Sequence, residues 1–187
     1  MPEWDDDDRL AARYTAEGDT AAMETLYRRH VAATYGFARR FLPTVEDAEE
    51  ATSESWFRVF RALRDGQFRG QAAFKTWVFG ICRNVCSERI RQPRLPMLSL
   101  SDLQESHRES WSLFEPQPSP PSGVSEALTT LSDDHRLILT LCDLEGFTAI
   151  EAAKIMGRTP AAAKSLHIRA RRALRDRLQE YRQETNT

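Results

Sequence analysis

The residues of this chain best suited to chemistry are cations, and they cluster near its carboxyl end. Residues 158–177 hold seven lysines or arginines and one acidic residue, although the whole chain carries a net charge of -2. Lysine and arginine neutralise phosphates, so such a run is typical of polyanion binding. A second run, residues 64–94, holds seven basic and two acidic residues. Two separate runs predict two contacts with a nucleic acid.

A predicted helix-turn-helix positions the first of these runs. Thr148 and Glu151 have capping-box spacing, Gly157 suits a left-handed turn, and Thr159-Pro160 opens the next helix. Ala153 and Gly157 are expected to let the two helices cross closely, facing three apolar residues of the second helix: Ala163, Leu166 and Ala170. A hairpin in a bundle that does not bind DNA would explain the turn, but not the cations after it.

We therefore predict that the second helix reads duplex DNA. The residues expected near base edges are Arg158, Thr159, Ala161, Ala162, Lys164 and Ser165. Arg169 and Arg172 are expected on the phosphate backbone, although some later arginines can instead form a solvated face.

Aromatic residues interrupt the other cationic run. Phe68, Phe74, Trp77 and Phe79 alternate with cations, a combination that can bind unpaired DNA by stacking and charge; the cations are Arg69, Lys75, Arg83, Arg89 and Arg91. Phe74, Trp77 and Ile81 share one helical stripe, so we expect most of this set to be core. Phe68 and Gln71, in or beside a loop, are better candidates for contacting a base.

Other functions find little support in the sequence. It has no nucleophile–base pair, phosphate-binding glycine loop or paired carboxylates, so we expect neither an enzyme nor a cofactor. Cys82, Cys86 and Cys142 form no CxxC pair, and we read Cys82 and Cys86 as buried thiols rather than as a metal or redox site. The apolar runs are far shorter than the roughly 20 residues that cross a bilayer. We expect a cytoplasmic protein without membrane insertion.

Apolar residues recur at spacings of three and four almost throughout, which predicts an all-α fold. Residues 93–124 break the pattern, and they contain six of the nine prolines and seven serines. We read them as a linker. The predicted divisions are an acidic tail (1–19), a helical domain (20–92), the linker (93–124) and a second helical domain (125–187). Predicted helices cover about 20–42, 44–63 and 74–91, and Ser132 and Gly146 bound one ahead of the helix-turn-helix.

These motifs resemble those of the extracytoplasmic-function sigma factors, the group 4 subfamily of the bacterial sigma-70 family. The resemblance covers about 23–92 and 125–182. Residues 47–63 (DAEEATSESWFRVFRAL) resemble the helix that binds the clamp helices of the polymerase beta-prime subunit. Residues 68–84 (FRGQAAFKTWVFGICRN) resemble the segment that recognises and melts the -10 element, and residues 137–174 are similar to the domain that reads the -35 element.

The resemblance implies two small domains: a region 2 bundle of three to four helices and a region 4 helix-turn-helix domain. It implies binding to core RNA polymerase through the beta-prime clamp helices and the beta flap. The polymerase-binding residues it indicates are Asp47, Glu50, Glu54, Arg58 and Arg61. For the -10 element it indicates Phe68, Arg69, Gln71, Lys75, Arg83, Asn84, Arg89 and Arg91. It further implies contact with duplex and single-stranded promoter DNA, and an anti-sigma factor.

The chain also departs from the family pattern. Ser53 stands where glutamine is usual, and Leu166-His-Ile168 replaces the usual Arg-Leu-His, which removes one cation and can rotate the packing stripe by one residue. The promoter sequence that the chain prefers is therefore open.

Two hypotheses follow from the resemblance. The 66–72 loop and Asn84 capture an extruded base during melting, while the nearby cations hold the strand. The two promoter elements lie about two DNA turns apart, so the linker must be held extended; Trp111 and Phe114 are its anchors on polymerase, or else incidental apolar residues.

Two other functions stay open at this point. One is a conventional helix-turn-helix repressor or activator that acts without polymerase. The other is a sigma-like protein-interaction module that has lost promoter recognition.

Overall fold

The computed structural model of the chain describes residues 6–91 and 122–184, and every regular element within those ranges is helical. The linker up to residue 121, with Trp111 and Phe114, lies outside the described residues, as do residues 1–5. The helices are α1 (Asp6–Glu17), α2 (Thr20–Arg39), α3 (Val45–Arg64), α4 (Phe74–Arg91), α5 (Ser122–Thr129), α6 (Asp133–Leu139), α7 (Ala149–Met156) and α8 (Pro160–Glu184). This confirms the predicted all-α class.

The described residues fall into two compact units. Residues 6–69 and 81–91 belong to the first unit, and residues 70–80 and 122–184 belong to the second. Helix α5 begins at Ser122, inside the last residues of the segment predicted to be linker.

In the first unit, α1, α2 and α3 pack against one another. Polar caps begin the second and third helices: the Asp19 carboxylate accepts hydrogen bonds from the amides of Ala21 and Ala22, and the Thr44 hydroxyl accepts one from the Asp47 amide. Trp56 lies at the centre of the core with 2% of its surface exposed, and its indole N–H donates to the Thr34 hydroxyl at 3.0 Å. The packing satisfies this buried polar group.

Helix α1 occupies most of the segment predicted to be an acidic tail. Its acidic first turn, Asp6 to Asp8, suits the positive end of the helix dipole. Asp7 Oδ1 pairs with the Arg29 guanidinium at 2.7 Å and Asp7 Oδ2 with His30 Nε2 at 2.6 Å, while Ala11 is fully buried. These partners lie on α2, so the sequence around α1 alone did not reveal them.

In the second unit, α5, α6 and α7 all pack against α8. Ser132 caps α6 as predicted, and a π-helical turn, Thr140–Leu144, continues it. Gly146 then takes a left-handed conformation, with φ of 74°. The core of this unit holds Ile138, Leu139, Leu141 and Phe147.

The predicted helix-turn-helix is present in α7 and α8. The Thr148 hydroxyl accepts a hydrogen bond from the Glu151 amide, and the Glu151 carboxylate accepts one from the Thr148 amide, which completes the capping box. Gly157 ends α7 with φ of 65°, and the Thr159 hydroxyl accepts a hydrogen bond from the Ala162 amide at 3.2 Å. Each of these signals is local, which is why the sequence revealed them.

One expectation about this turn is corrected. Ala153, Ala163, Leu166 and Ala170 are buried as predicted, but Gly157 is exposed, and a Cβ atom added there would meet nothing within 4 Å. The glycine is required for its positive φ and not for close helix packing.

None of the helices in the described ranges is long and apolar enough to span a membrane.

Candidate nucleic-acid and polymerase interfaces

The outward side of α8 is a single line of four exposed residues, Ala161, Ser165, Ile168 and Arg172, which we call the outer ridge. Their spacing of four, three and four residues places them on one face of an α-helix. The buried stripe of Ala163, Leu166 and Ala170 lies on the opposite face. The ridge is therefore free to face DNA.

Most of the residues predicted to contact duplex DNA are exposed along α8. Lys164, Arg169 and Arg172 make no ion pair with any other described residue, so their charges are available to phosphates. Arg158, which lies in the turn, instead pairs with Asp134 of α6 at 2.6 Å. This ion pair uses one nitrogen of a guanidinium that has five N–H donors.

Helix α8 is joined to the π-helical turn by Asp143. Asp143 Oδ2 lies 2.7 Å from His167 Nε2, and Asp143 Oδ1 accepts hydrogen bonds from the Arg171 guanidinium. Partial burial opposes the negative charge of Asp143, but the hydrogen bonds from Arg171 and His167 outweigh it and hold the pKa of this carboxyl below its usual range. Arg171 is thus a positioning residue for α8.

Asn84 lines a cleft in the first unit. The cleft has a volume of about 370 Å³ and is lined by Arg58, Arg61, Ala62, Asp65, Gln67, Ile81, Asn84 and Glu88. Asn84 Oδ1 accepts a hydrogen bond from the Arg83 guanidinium at 3.2 Å. Gln67, which belongs to the 66–72 loop of the base-capture hypothesis, provides a second amide in this cleft.

The other residues predicted to contact the -10 element divide between the two units. In the first unit, Arg69 and Arg91 are exposed, Phe68 is half-buried, and Arg89 pairs with Glu50 at 2.7 Å. In the second unit, Lys75 donates to the Glu145 carbonyl at 2.7 Å, and the Gln71 carbonyl accepts a hydrogen bond from Lys154 at 3.0 Å. The structure does not gather all eight residues into one unit.

The aromatic residues of α4 are mostly core, as expected, but the buried set differs. Phe74 and Val78 are buried, whereas Trp77 and Ile81 are half-buried. Phe79 is also buried, and its ring lies 4.9 Å from the Phe147 ring within the second unit.

Five residues predicted to bind polymerase form one stripe along α3: Asp47, Glu50, Glu54, Arg58 and Arg61. Their spacing of three, four, four and three residues places them on one face of the helix. The Asp47 carboxylate accepts a hydrogen bond from the Thr44 hydroxyl at 2.6 Å.

An ion-pair network orders the middle of this stripe. Arg58 bonds both Glu54, at 2.7 Å, and Glu88 of α4, at 2.8 Å. The hydrogen bonds from Arg58 lower the pKa of Glu88, and those same bonds raise the pKa of Arg58. Both partners therefore stay charged at neutral pH.

Phe57 lies beside the stripe and is 61% exposed. Together with Tyr14, Phe60, Arg61 and Arg64 it lines a second cleft of about 300 Å³. An exposed aromatic ring among charged side chains is typical of a protein-binding anchor. Sequence reasoning missed Phe57 because an aromatic residue within an apolar-rich helix is equally compatible with the core.

The fold and these surfaces define a class: a helical, DNA-binding transcription protein with a helix-turn-helix in its second unit. Family models agree with this class, since Sigma-70 region 2 matches residues 26–94 and Sigma-70 region 4 matches residues 123–174. The chain belongs to the sigma-70 family, and it is an RNA polymerase sigma factor of the extracytoplasmic-function type. The predictions of family and function are thereby confirmed.

Several known proteins are similar along most of their length. The ECF RNA polymerase sigma factor SigM of Mycobacterium tuberculosis is 29% identical over 169 residues, which cover 90% of this chain and 82% of the relative. The fold is also similar to that of CnrH in its complex with the cytosolic domain of CnrY, with a TM-score of 0.68, 24% identity, and coverage of 94% and 99% of the two chains. The sigma factor RpoE of Bartonella quintana, in complex with the anti-sigma factor NepR, gives a TM-score of 0.63 and 22% identity over 84% of this chain and 96% of that one.

Proposed function

We propose that this sigma factor uses three separate surfaces to bind the -35 element, the melted -10 strand and core polymerase. The outer ridge of α8 and its flanking cations read the -35 element, the Asn84 cleft and its neighbouring cations hold the melted -10 strand, and the α3 stripe binds the beta-prime clamp helices of core polymerase. The single observation that carries this proposal is the outer ridge, which is exposed, flanked by cations that make no ion pair within the described ranges, and backed by a buried stripe.

The domain boundaries belong to the same proposal. We assign polymerase binding and -10 recognition to residues 20–92 and -35 recognition to residues 125–187. The matches of the region 2 and region 4 models to residues 26–94 and 123–174 support this division. The beta flap of polymerase is the proposed partner of the second domain.

For the -10 element, the geometry of the Asn84 cleft supports capture of a base. Asn84 and Gln67 place two amides, each both donor and acceptor, in a cleft large enough for a nucleobase. Side-chain amides of this kind can hydrogen-bond the exposed edge of an unpaired base. Arg83, whose guanidinium donates a hydrogen bond to Asn84 Oδ1, supplies a cation for the adjoining phosphate.

An anti-sigma factor is the proposed regulator. The proposal is supported by the solved complex of the Bartonella quintana sigma factor RpoE with the anti-sigma factor NepR. Co-purification of a tagged chain from the source cells tests it. A co-purified protein that suppresses transcription by the reconstituted polymerase supports the proposal, whereas a chain that purifies without any inhibitor contradicts it.

Run-off transcription on fragmented genomic DNA tests whether the chain directs core polymerase to promoters. Purified chain added to core RNA polymerase of the source bacterium is expected to produce discrete new transcripts. Duplex binding without core-dependent transcription would favour the repressor or activator alternative. Polymerase binding without promoter selection would favour the interaction-module alternative.

A further inference from the structure

Ile168 is the one residue of the outer ridge with a large apolar side chain, and 64% of its surface is exposed. It occupies the position where the family pattern has histidine. Leu166 takes the buried place on the opposite face, with 5% of its surface exposed, so Ile168 points outward. An isoleucine here has no hydrogen bond to offer a base or a phosphate.

We propose that Ile168 determines specificity by contacting the C5-methyl group of a thymine in the major groove of the -35 element. This inference rests on the proposed role of α8 in reading that element. The major groove of DNA offers one apolar feature among its hydrogen-bonding groups, the thymine methyl, and aliphatic side chains are suited to contact it.

The neighbours of Ile168 favour DNA as the occupant of this face. Ser165 and Arg172 precede and follow it on the ridge, and Lys164 and Arg169 flank it; the three cations make no ion pair within the described residues. A single aliphatic side chain among unpaired cations complements a polyanion that carries isolated methyl groups. An apolar protein partner would leave these charges desolvated and uncompensated.

Ala161 lies at the N-terminal end of the ridge, where it can face a different base pair from Ile168. It lies seven residues before Ile168 on the ridge, which corresponds to about 10 Å of helix at about 1.5 Å per residue. That length covers about three base pairs at about 3.4 Å each. Ile168 therefore reads a base pair separate from any that Ala161 contacts.

The test removes single methyl groups from the DNA. The probe is the promoter duplex that run-off transcription identifies, remade with each -35 thymine of either strand replaced in turn by deoxyuridine. Binding is measured with the holoenzyme of this chain and core polymerase. Loss of the contacted methyl is expected to weaken binding about fourfold, the value of one buried methyl group.

The Ile168→Ala holoenzyme is expected to bind the thymine and deoxyuridine versions of that duplex equally. Ile168→Leu keeps an apolar side chain, so this variant is expected to retain the difference in affinity between the thymine and deoxyuridine duplexes. Arg169→Ala is the matched control on the same helix, since Arg169 is expected on the phosphate backbone and its loss should weaken binding to every duplex and leave the fourfold difference intact.

Three outcomes overturn the inference. The wild-type holoenzyme can prove insensitive to every replacement, or Ile168→Ala can remain sensitive at the same position. In either case the promoter is still recognised, and the proposed function stands. If no promoter emerges from run-off transcription, the proposed function fails and the inference fails with it.

Discussion

Asn84 and Gln67 show how single side chains can separate DNA melting from DNA binding. Both line the cleft of the first unit, and neither is a cation, so their contribution to duplex affinity should be small. Asn84→Ala is expected to reduce open-complex formation about fivefold, which corresponds to one lost hydrogen bond of about 1 kcal/mol. Permanganate reactivity of unpaired thymines and holoenzyme binding to duplex promoter DNA measure the two steps.

The matched control is Ser87→Ala, because Ser87 lies three residues after Asn84 in α4 and does not line the cleft. This variant should change neither step. An equal loss of binding and opening in Asn84→Ala would contradict base capture by the cleft.

Asp143 makes a pH-dependent contribution to the second unit. Its native pKa lies below the roughly 3.9 of an unfolded aspartate, so it stabilises the fold above about pH 5, and this stabilisation disappears as the pH falls through the native pKa. Asp143→Asn should lower the unfolding temperature by a few degrees at pH 7, since the partly solvated group contributes about 1 kcal/mol or less. At the lowest pH the two proteins should unfold at the same temperature.

Asp176→Asn is the control for this experiment, because Asp176 is an exposed carboxylate of α8 with no ion pair among the described residues. Thermal denaturation followed by circular dichroism across the pH range measures all three proteins. A constant difference between wild type and Asp143→Asn at every pH would contradict the assigned ionisation.

At the scale of the element, the turn of the helix-turn-helix depends on the backbone conformation of Gly157. Gly157→Ala introduces a Cβ into a residue with φ of 65°, which should cost about 1 kcal/mol even though the surrounding space is open. In a chain of this length that loss lowers the unfolding temperature by about 2–4 °C.

Gly80→Ala is expected to have the opposite effect on stability. Gly80 lies inside α4, its φ is not positive, and a Cβ would meet nothing within 4 Å. The substitution should stabilise the chain by about 0.5–1 kcal/mol, because it removes backbone freedom from the unfolded state. If Gly157→Ala and Gly80→Ala changed the free energy of unfolding in the same direction, backbone conformation would not be the deciding factor.

The α3 stripe should depend on its apolar neighbour. Phe57→Ser is expected to weaken binding of core polymerase at least about tenfold, because aromatic residues are among those that carry most of the binding energy of a protein interface. Ile90→Ser is the control, since Ile90 is similarly exposed, at 56%, but lies on α4. Calorimetric titration of core polymerase with each variant measures the difference, and equal affinities would remove Phe57 from the interface.

The elements that sequence could predict are those specified by neighbouring residues. Thr44, Ser132, the Thr148–Glu151 box and Gly157 each specify a helix boundary through groups at most four residues apart. Helix α1 escaped prediction because Asp7 depends on Arg29 and His30, more than twenty residues away. The Arg58–Glu88 pair, which orders the α3 stripe, joins residues that are 30 positions apart in sequence. Their geometry emerges only after the helices pack.

At the scale of the whole molecule, affinity for promoter DNA should depend on salt through the cations of α8. Replacing Lys164, Arg169 and Arg172 by alanine removes three cations that make no ion pair within the described residues and whose charges are therefore available to phosphates. The slope of log affinity against log salt should become shallower by about 2.7, at about 0.9 for each contact. Filter binding of the holoenzyme to a promoter fragment over a range of salt concentrations measures the slope.

A control variant removes the same number of charges elsewhere, at three exposed residues of the first unit: Arg9, Arg28 and Arg39. Its slope should equal that of the wild type. If both triple variants lose slope equally, net charge rather than the α8 surface sets the dependence on salt.

The order of helices along the chain has a consequence for synthesis on the ribosome. Helices α1, α2 and α3 follow one another directly and pack together within residues 6–64. Helical bundles with such local contacts fold within about a millisecond, whereas translation of residues 65–187 takes roughly 6–25 s at about 5–20 residues per second. The nascent chain can therefore display the α3 stripe while α8 has yet to be translated, and a partner that recognises this stripe can engage the protein before it is able to read DNA.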